Sequence, residues 1–105
     1  MKVIYAALVG IVIAVPVHAT ERTVKTESLA CNPERQFDRA ERFRISRNTK
    51  ALKAFTAGAL LSRTCISLKP GATVFTEGVG KGAGIIKVRP KGAFKSFFTS
   101  ELAFQ

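Results

Sequence analysis

The chain has 105 residues and a formal net charge of +10, from 17 Lys and Arg against 7 Asp and Glu. It holds one His, one Tyr, two Cys and no Trp. This inventory excludes a zinc centre built from four Cys and His ligands, and it leaves acid–base catalysis with few groups to draw on.

The opening residues, "MKVIYAALVGIVIAVPVHA", place Lys2 before an apolar run from Val3 to Val15, then Pro16 and compact residues at Val17 and Ala19. That is the pattern of a secretory signal peptide over residues 1–19. The run falls short of the roughly 20 apolar residues that span a bilayer, so no transmembrane segment is expected once the leader is removed. Cleavage after Ala19 would leave residues 20–105 as a single small domain in the periplasm or outside the cell. His18 and Tyr5 would leave with the leader, so the exported chain would lack the commonest general base near neutral pH. The expectation is a protein without catalytic activity and without a cofactor or metal.

Residues Thr20 to Ala30 read as an extended arm or a short edge strand. At "CNPERQFDRAERFR" the signals turn helical: Asn32 suits an N-cap, Pro33 the first helical position, and Glu34 puts negative charge at the amino end. A helix over Pro33 to Ile45 follows, with Phe37, Ala40 and Phe43 on its apolar side and Asp38 paired to Arg42. Asn48 is the predicted cap of a second helix, where Leu52, Phe55, Ala59 and Leu60 form the apolar stripe. Two helices are preferred over one bent helix.

The cysteines flank this helical segment. Cys31 and Cys65 are the only pair, and a secreted chain is one in which disulfides persist. An intramolecular bridge is preferred over free thiols or a link between two chains, and it would close a loop worth roughly 3 to 4 kcal/mol in the chain-entropy model.

From Cys65 the period changes to that of strands. "ISL", "ATVFT", "GIIKVR" and "SFFTS" are rich in β-branched and aromatic residues and are separated by Pro and Gly. Val74, Ile86 and Val88 are predicted core, with Phe97 or Phe98 closing one side. The glycines at 78, 80, 82 and 84 match no nucleotide loop. Gly80-Lys81 is followed by Gly82 rather than Ser or Thr, and a strand, not a helix, comes next. They read as a mobile hairpin connection.

The order Leu68, Gly71, Val74, then Val88-Arg89, Gly92, Phe97-Phe98 and Leu102 resembles the small SH3-like barrels of secreted bacterial proteins. It is also similar to small secreted proteobacterial proteins in which a cysteine-flanked helical segment precedes such a half. The resemblance covers Cys65 to Phe104. It implies an α+β fold, with an N-terminal helical segment (residues 20–64) packed on a C-terminal antiparallel SH3-like barrel (residues 65–105). It also implies binding rather than chemistry, directed at a cell-wall component or an envelope protein. The aromatic groove that some SH3 domains use for polyproline has no Tyr or Trp counterpart here, so it lends no binding residue.

Charge supplies the competing expectation. Between Arg42 and Thr76 no acidic residue occurs, while Arg42, Arg44, Arg47, Lys50 and Lys53 crowd into the first part of that interval. Such a surface suits an anionic polymer or lipid, nucleic acid or lipopolysaccharide included, as an antimicrobial-type or effector protein would use it. No interleaving of aromatic and basic residues supports sequence-specific nucleic-acid recognition.

Overall fold

A computed structural model describes residues 20–105, and the leader expected over residues 1–19 lies outside the described residues. The fold is α+β. Its elements are β1 (Thr20–Thr23), β2 (Ser28–Cys31), α1 (Glu34–Ile45), α2 (Thr49–Leu61), β3 (Cys65–Leu68), β4 (Thr73–Val79), β5 (Ile85–Pro90), β6 (Phe97–Ser100) and a closing 3₁₀ turn (Glu101–Phe104). The helices therefore lie mid-chain, which corrects the expectation of a helical first half. Two strands precede them, and both join the same sheet as the four that follow.

The sheet runs β1-β4-β5-β6-β2-β3, antiparallel throughout. In that order β3 and β4 stand four strands apart, about 19 Å in a flat sheet. Only residues 69–72 join them, and these include a turn in which the Ala72 N–H donates to Lys69 O at 3.0 Å. So short a connection forces the sheet to curl. The chain just past β1 fills the gap that remains between the two edges. Val24 N–H donates to Ala72 O and Gly71 N–H to Val24 O, each at 2.8 Å. Edge strands β1 and β3 do not pair with each other, so the sheet curls without closing.

Period-2 alternation then sorts the side chains to two faces. Ala30, Leu68, Val74, Ile86, Val88 and Phe97 point inside the curl, where Val24, Ala103 and Phe104 complete one core. Leu29, Cys31, Cys65, Ile85 and Phe98 point the other way and meet Phe37, Phe55 and Ala59 of the helices. Both aromatics of "SFF" are thus used, Phe97 inside the curl and Phe98 under the helices. Thr99 is a fully buried polar residue of the inner face. Its hydroxyl donates to Leu29 O at 2.8 Å and accepts from the Ser28 hydroxyl at 2.8 Å. These bonds tie β6 to β2 where the ladder keeps a single register pair, Cys31 with Phe98.

The helical hairpin is an insertion between β2 and β3. Cys31 and Cys65 sit opposite each other in the ladder, 4.0 Å apart at Cα, and are joined by a disulfide across a separation of 34 residues. The staple therefore closes the base of the insertion.

The helix ends show where local signals were overruled. Asn48 caps α2 as expected, its Oδ1 accepting from Ala51 N–H at 3.1 Å. Asn32 does not cap α1: Pro33 occupies the N-cap without a side-chain bond, and Asn32 Nδ2 donates to Ser96 O at 2.8 Å. Leu60 is exposed, so the stripe of α2 narrows to Leu52, Phe55 and Ala59. On α1 the ion pair that forms is Glu41 with Arg44.

Candidate functional site

The hairpin does not lie flush on the sheet. Between α1, α2, the segment leading into β2 and the end of β6 runs a cleft of about 370 Å³. Its walls are Leu29 of β2, Phe37 and Ala40 of α1, Leu52 of α2, and Leu102 and Ala103 of the 3₁₀ turn. Thr26, Ser28, Thr56 and Ser100 add hydroxyls, and Glu27, Glu41 and Arg44 stand at the rim. Leu102, 63% exposed, forms an apolar lip. An apolar hollow with a few polar groups at its edge is the usual form of a small-ligand or side-chain site.

The charges at this rim are matched within the protein. Arg44 donates to both Glu41 oxygens, from Nε and Nη2, at 2.8 Å each. That pair pushes the Arg44 guanidinium further up from its ordinary value. Glu27 Oε2 accepts from Lys69 Nζ at 2.9 Å and from the Ser67 hydroxyl at 2.8 Å. The lysine bond first, then the serine bond, holds the Glu27 carboxyl below the usual carboxylate range. The Glu27 carboxyl is thus moved away from neutrality, where a general base is poised. The cleft suits the apolar part of a ligand, with hydroxyls available to an amide or alcohol beside it.

Cys31 and Cys65 are structural, bonded to each other beneath the hairpin. Arg42, Arg44, Arg47, Lys50 and Lys53 are all exposed around the outer turn of the hairpin. Arg44 alone among them reaches the cleft, and Arg42 lines a separate shallow groove with Arg35, Asp38 and Arg39. The cleft itself was not legible in the chain, because its walls come from four separated segments. Among the described residues no group of three His, Cys, Asp or Glu gathers in a way that would hold a metal ion. No described helix is long and apolar enough to cross a membrane.

The glycine stretch has a definite partner. Glu34, in the first turn of α1, accepts from Lys81 N–H at 2.9 Å and Gly82 N–H at 3.0 Å. Successive backbone N–H groups converging on a carboxylate form an anion nest, and here the anion is supplied from within. Those two bonds hold the Glu34 carboxyl below its usual range. The connection read as a mobile hairpin is thus fastened to α1.

These features define a small α+β protein whose curled antiparallel sheet carries a disulfide-closed helical hairpin and a cleft beneath it. No family model, no curated protein and no solved structure matches this chain.

Proposed function

We propose that the protein is a non-catalytic, SH3-like binding module of the periplasm or cell exterior, which recognises a cell-envelope component or protein partner through the cleft under the helical hairpin. The observation that carries this reading is the cleft, apolar in its walls and electrically satisfied at its rim. A site of that kind gains free energy by burying apolar surface and has no charged group waiting for a substrate. The curl of the sheet and the run from β3 through the 3₁₀ turn support the SH3-like comparison. The apolar Val3 to Val15 segment and the disulfide support an oxidising compartment.

Thr56→Trp tests the reading by filling the cleft from a half-buried position. Wild-type protein should retain an envelope component that the Trp variant loses, while Arg42→Glu with Arg47→Glu retains it. Equal capture by wild type and Thr56→Trp would exclude the cleft as the binding site.

A second reading is a basic effector that grips an anionic polymer or lipid through Arg42, Arg44, Arg47, Lys50 and Lys53. It is favoured by the exposure of all five side chains. Binding of that kind weakens steeply with salt, since each phosphate contact releases a counterion, whereas binding in the cleft changes little.

A further inference from the structure

The connection between β5 and β6 presents Phe94 fully exposed, between exposed Lys91 and Lys95. A bare ring of this size usually folds back onto a neighbour or sits on a slack loop. This loop is fastened on both sides of the ring. Lys91 N–H donates to Thr73 O at 3.0 Å and Ala93 N–H to Pro90 O at 2.9 Å. Arg89 Nη1 donates to Ala93 O at 3.3 Å, and Asn32 Nδ2 reaches Ser96 O at 2.8 Å. The Ser96 hydroxyl donates to Glu77, whose other oxygen accepts from Arg89 Nε at 2.9 Å. Gly92 supplies the left-handed turn at φ +88°. Much of the ordering cost of docking has been met in folding, since the backbone either side of Phe94 is already held.

We propose that Phe94, with Lys91 and Lys95, anchors the protein to an anionic phospholipid surface. The ring enters the boundary between headgroups and acyl chains, and the two ammonium groups lie at the lipid phosphates. Lysine suits that position because its stem follows the apolar layer while its head stays in the polar one. Lys95 has no carboxylate within 4.0 Å among the described residues, and Lys91 has only exposed Glu21, at 3.8 Å. Both are therefore open to an external anion. A protein partner fits less well. Aromatic anchors at protein interfaces work within a surrounding patch that excludes water, and the chain on either side of this ring offers Gly92, Ala93 and the two lysines, with Phe94 itself fully exposed. A fluid interface closes around an isolated ring without needing that patch. The inference rests on neither the cleft nor the hairpin arginines.

The chain contains no Trp, so Phe94→Trp introduces a single reporter at the proposed contact. Its emission reports on this loop alone, whatever the apolar Val3 to Val15 segment or the hairpin arginines do on the same vesicles. With full-length protein and vesicles of mixed phosphatidylglycerol and phosphatidylcholine, the emission should shift to shorter wavelength and be quenched by lipids brominated in the upper acyl chain. Phosphatidylcholine vesicles alone should leave it unchanged. Lys91→Ala and Lys95→Ala should each weaken the shift about fivefold in lipid concentration, the worth of one cation near an anionic surface. Unchanged emission on anionic vesicles that carry the protein down on sedimentation would overturn the proposal, as would an equal shift on both kinds of vesicle.

Discussion

A methyl group on Gly80 would lie 2.6 Å from Glu34 Oε2 and 2.7 Å from Ile85 Cγ2, whereas one on Gly78 would meet nothing within 4 Å. The two positions look alike in the chain and differ because Glu34, 47 residues from Lys81, and Ile85 close on Gly80 and not on Gly78. Gly80→Ala must both expel the Glu34 carboxylate from its nest and push Ile85 aside, at about 1 to 3 kcal/mol. Gly78→Ala should stay within about 0.5 kcal/mol of wild type. Urea denaturation of both, repeated in a Glu34→Ala background, separates the two contacts: part of the Gly80→Ala cost should vanish there and the Ile85 part should remain. Equal costs at the two glycines would show that Glu34 does not close the turn.

At the scale of elements, both helices end in the same way. Ser46 and Ser62 are C-caps, and each is followed by an arginine with positive φ, Arg47 at 60° and Arg63 at 64°. After α1, Arg47 N–H donates to Arg44 O and Asn48 N–H to Phe43 O, the paired bonds of a Schellman motif. Glycine is the usual residue at this point because a side chain there is strained. Arg47→Gly and Arg63→Gly should therefore leave thermal stability unchanged or raise it by up to about 1 kcal/mol, and a branched replacement such as Arg47→Val should lower it. The strand connections lean on carboxylates instead. Glu34 is held below its ordinary value by backbone N–H groups, and Glu77 by the Ser96 hydroxyl and then Arg89. A carboxyl whose folded value is lowered adds stability above the unfolded value, near 4.5, and loses it as pH falls through the folded value. Denaturant midpoints between pH 2 and 6 should fall on the acid side, and less steeply in Glu34→Gln and Glu77→Gln.

For the molecule as a whole, the disulfide joins two neighbouring strands and closes the insertion at the same point. Cys31→Ser or Cys65→Ser should each cost roughly 2 to 5 kcal/mol, and the double variant no more than either, since all remove one bond. Denaturation with thiol labelling under non-reducing conditions checks this, with no reactive thiol expected in the wild type. Reversing charge at the outer turn, Arg44→Glu with Arg47→Glu, should change stability by under about 1 kcal/mol, because both side chains are exposed and only the Glu41 pair is lost.

Much of this architecture was legible in the chain where the cause is local. The alternation in "ATVFT" and "GIIKVR" put Val74, Ile86 and Val88 in the core, Asn48 announced the start of α2, and two cysteines in one chain left a single intramolecular pairing. Each of those depends on neighbours a few residues away or on simple counting. Residues whose partners lie far along the chain were misread or left open. Asn32 has good cap chemistry, yet its side chain goes to Ser96, 64 residues on. Thr20 to Ala30, read as an arm or one short edge strand, supplies an edge strand and also an inner strand that its few apolar residues did not announce, because β4 and β3 offer unpaired backbone. The cleft and the fastening of the glycine turn belong to the same class. Periodicity tells a side chain which face of its own element it occupies; which other element covers that face depends on how a six-stranded sheet curls around its core, and only the folded chain brings those surfaces together.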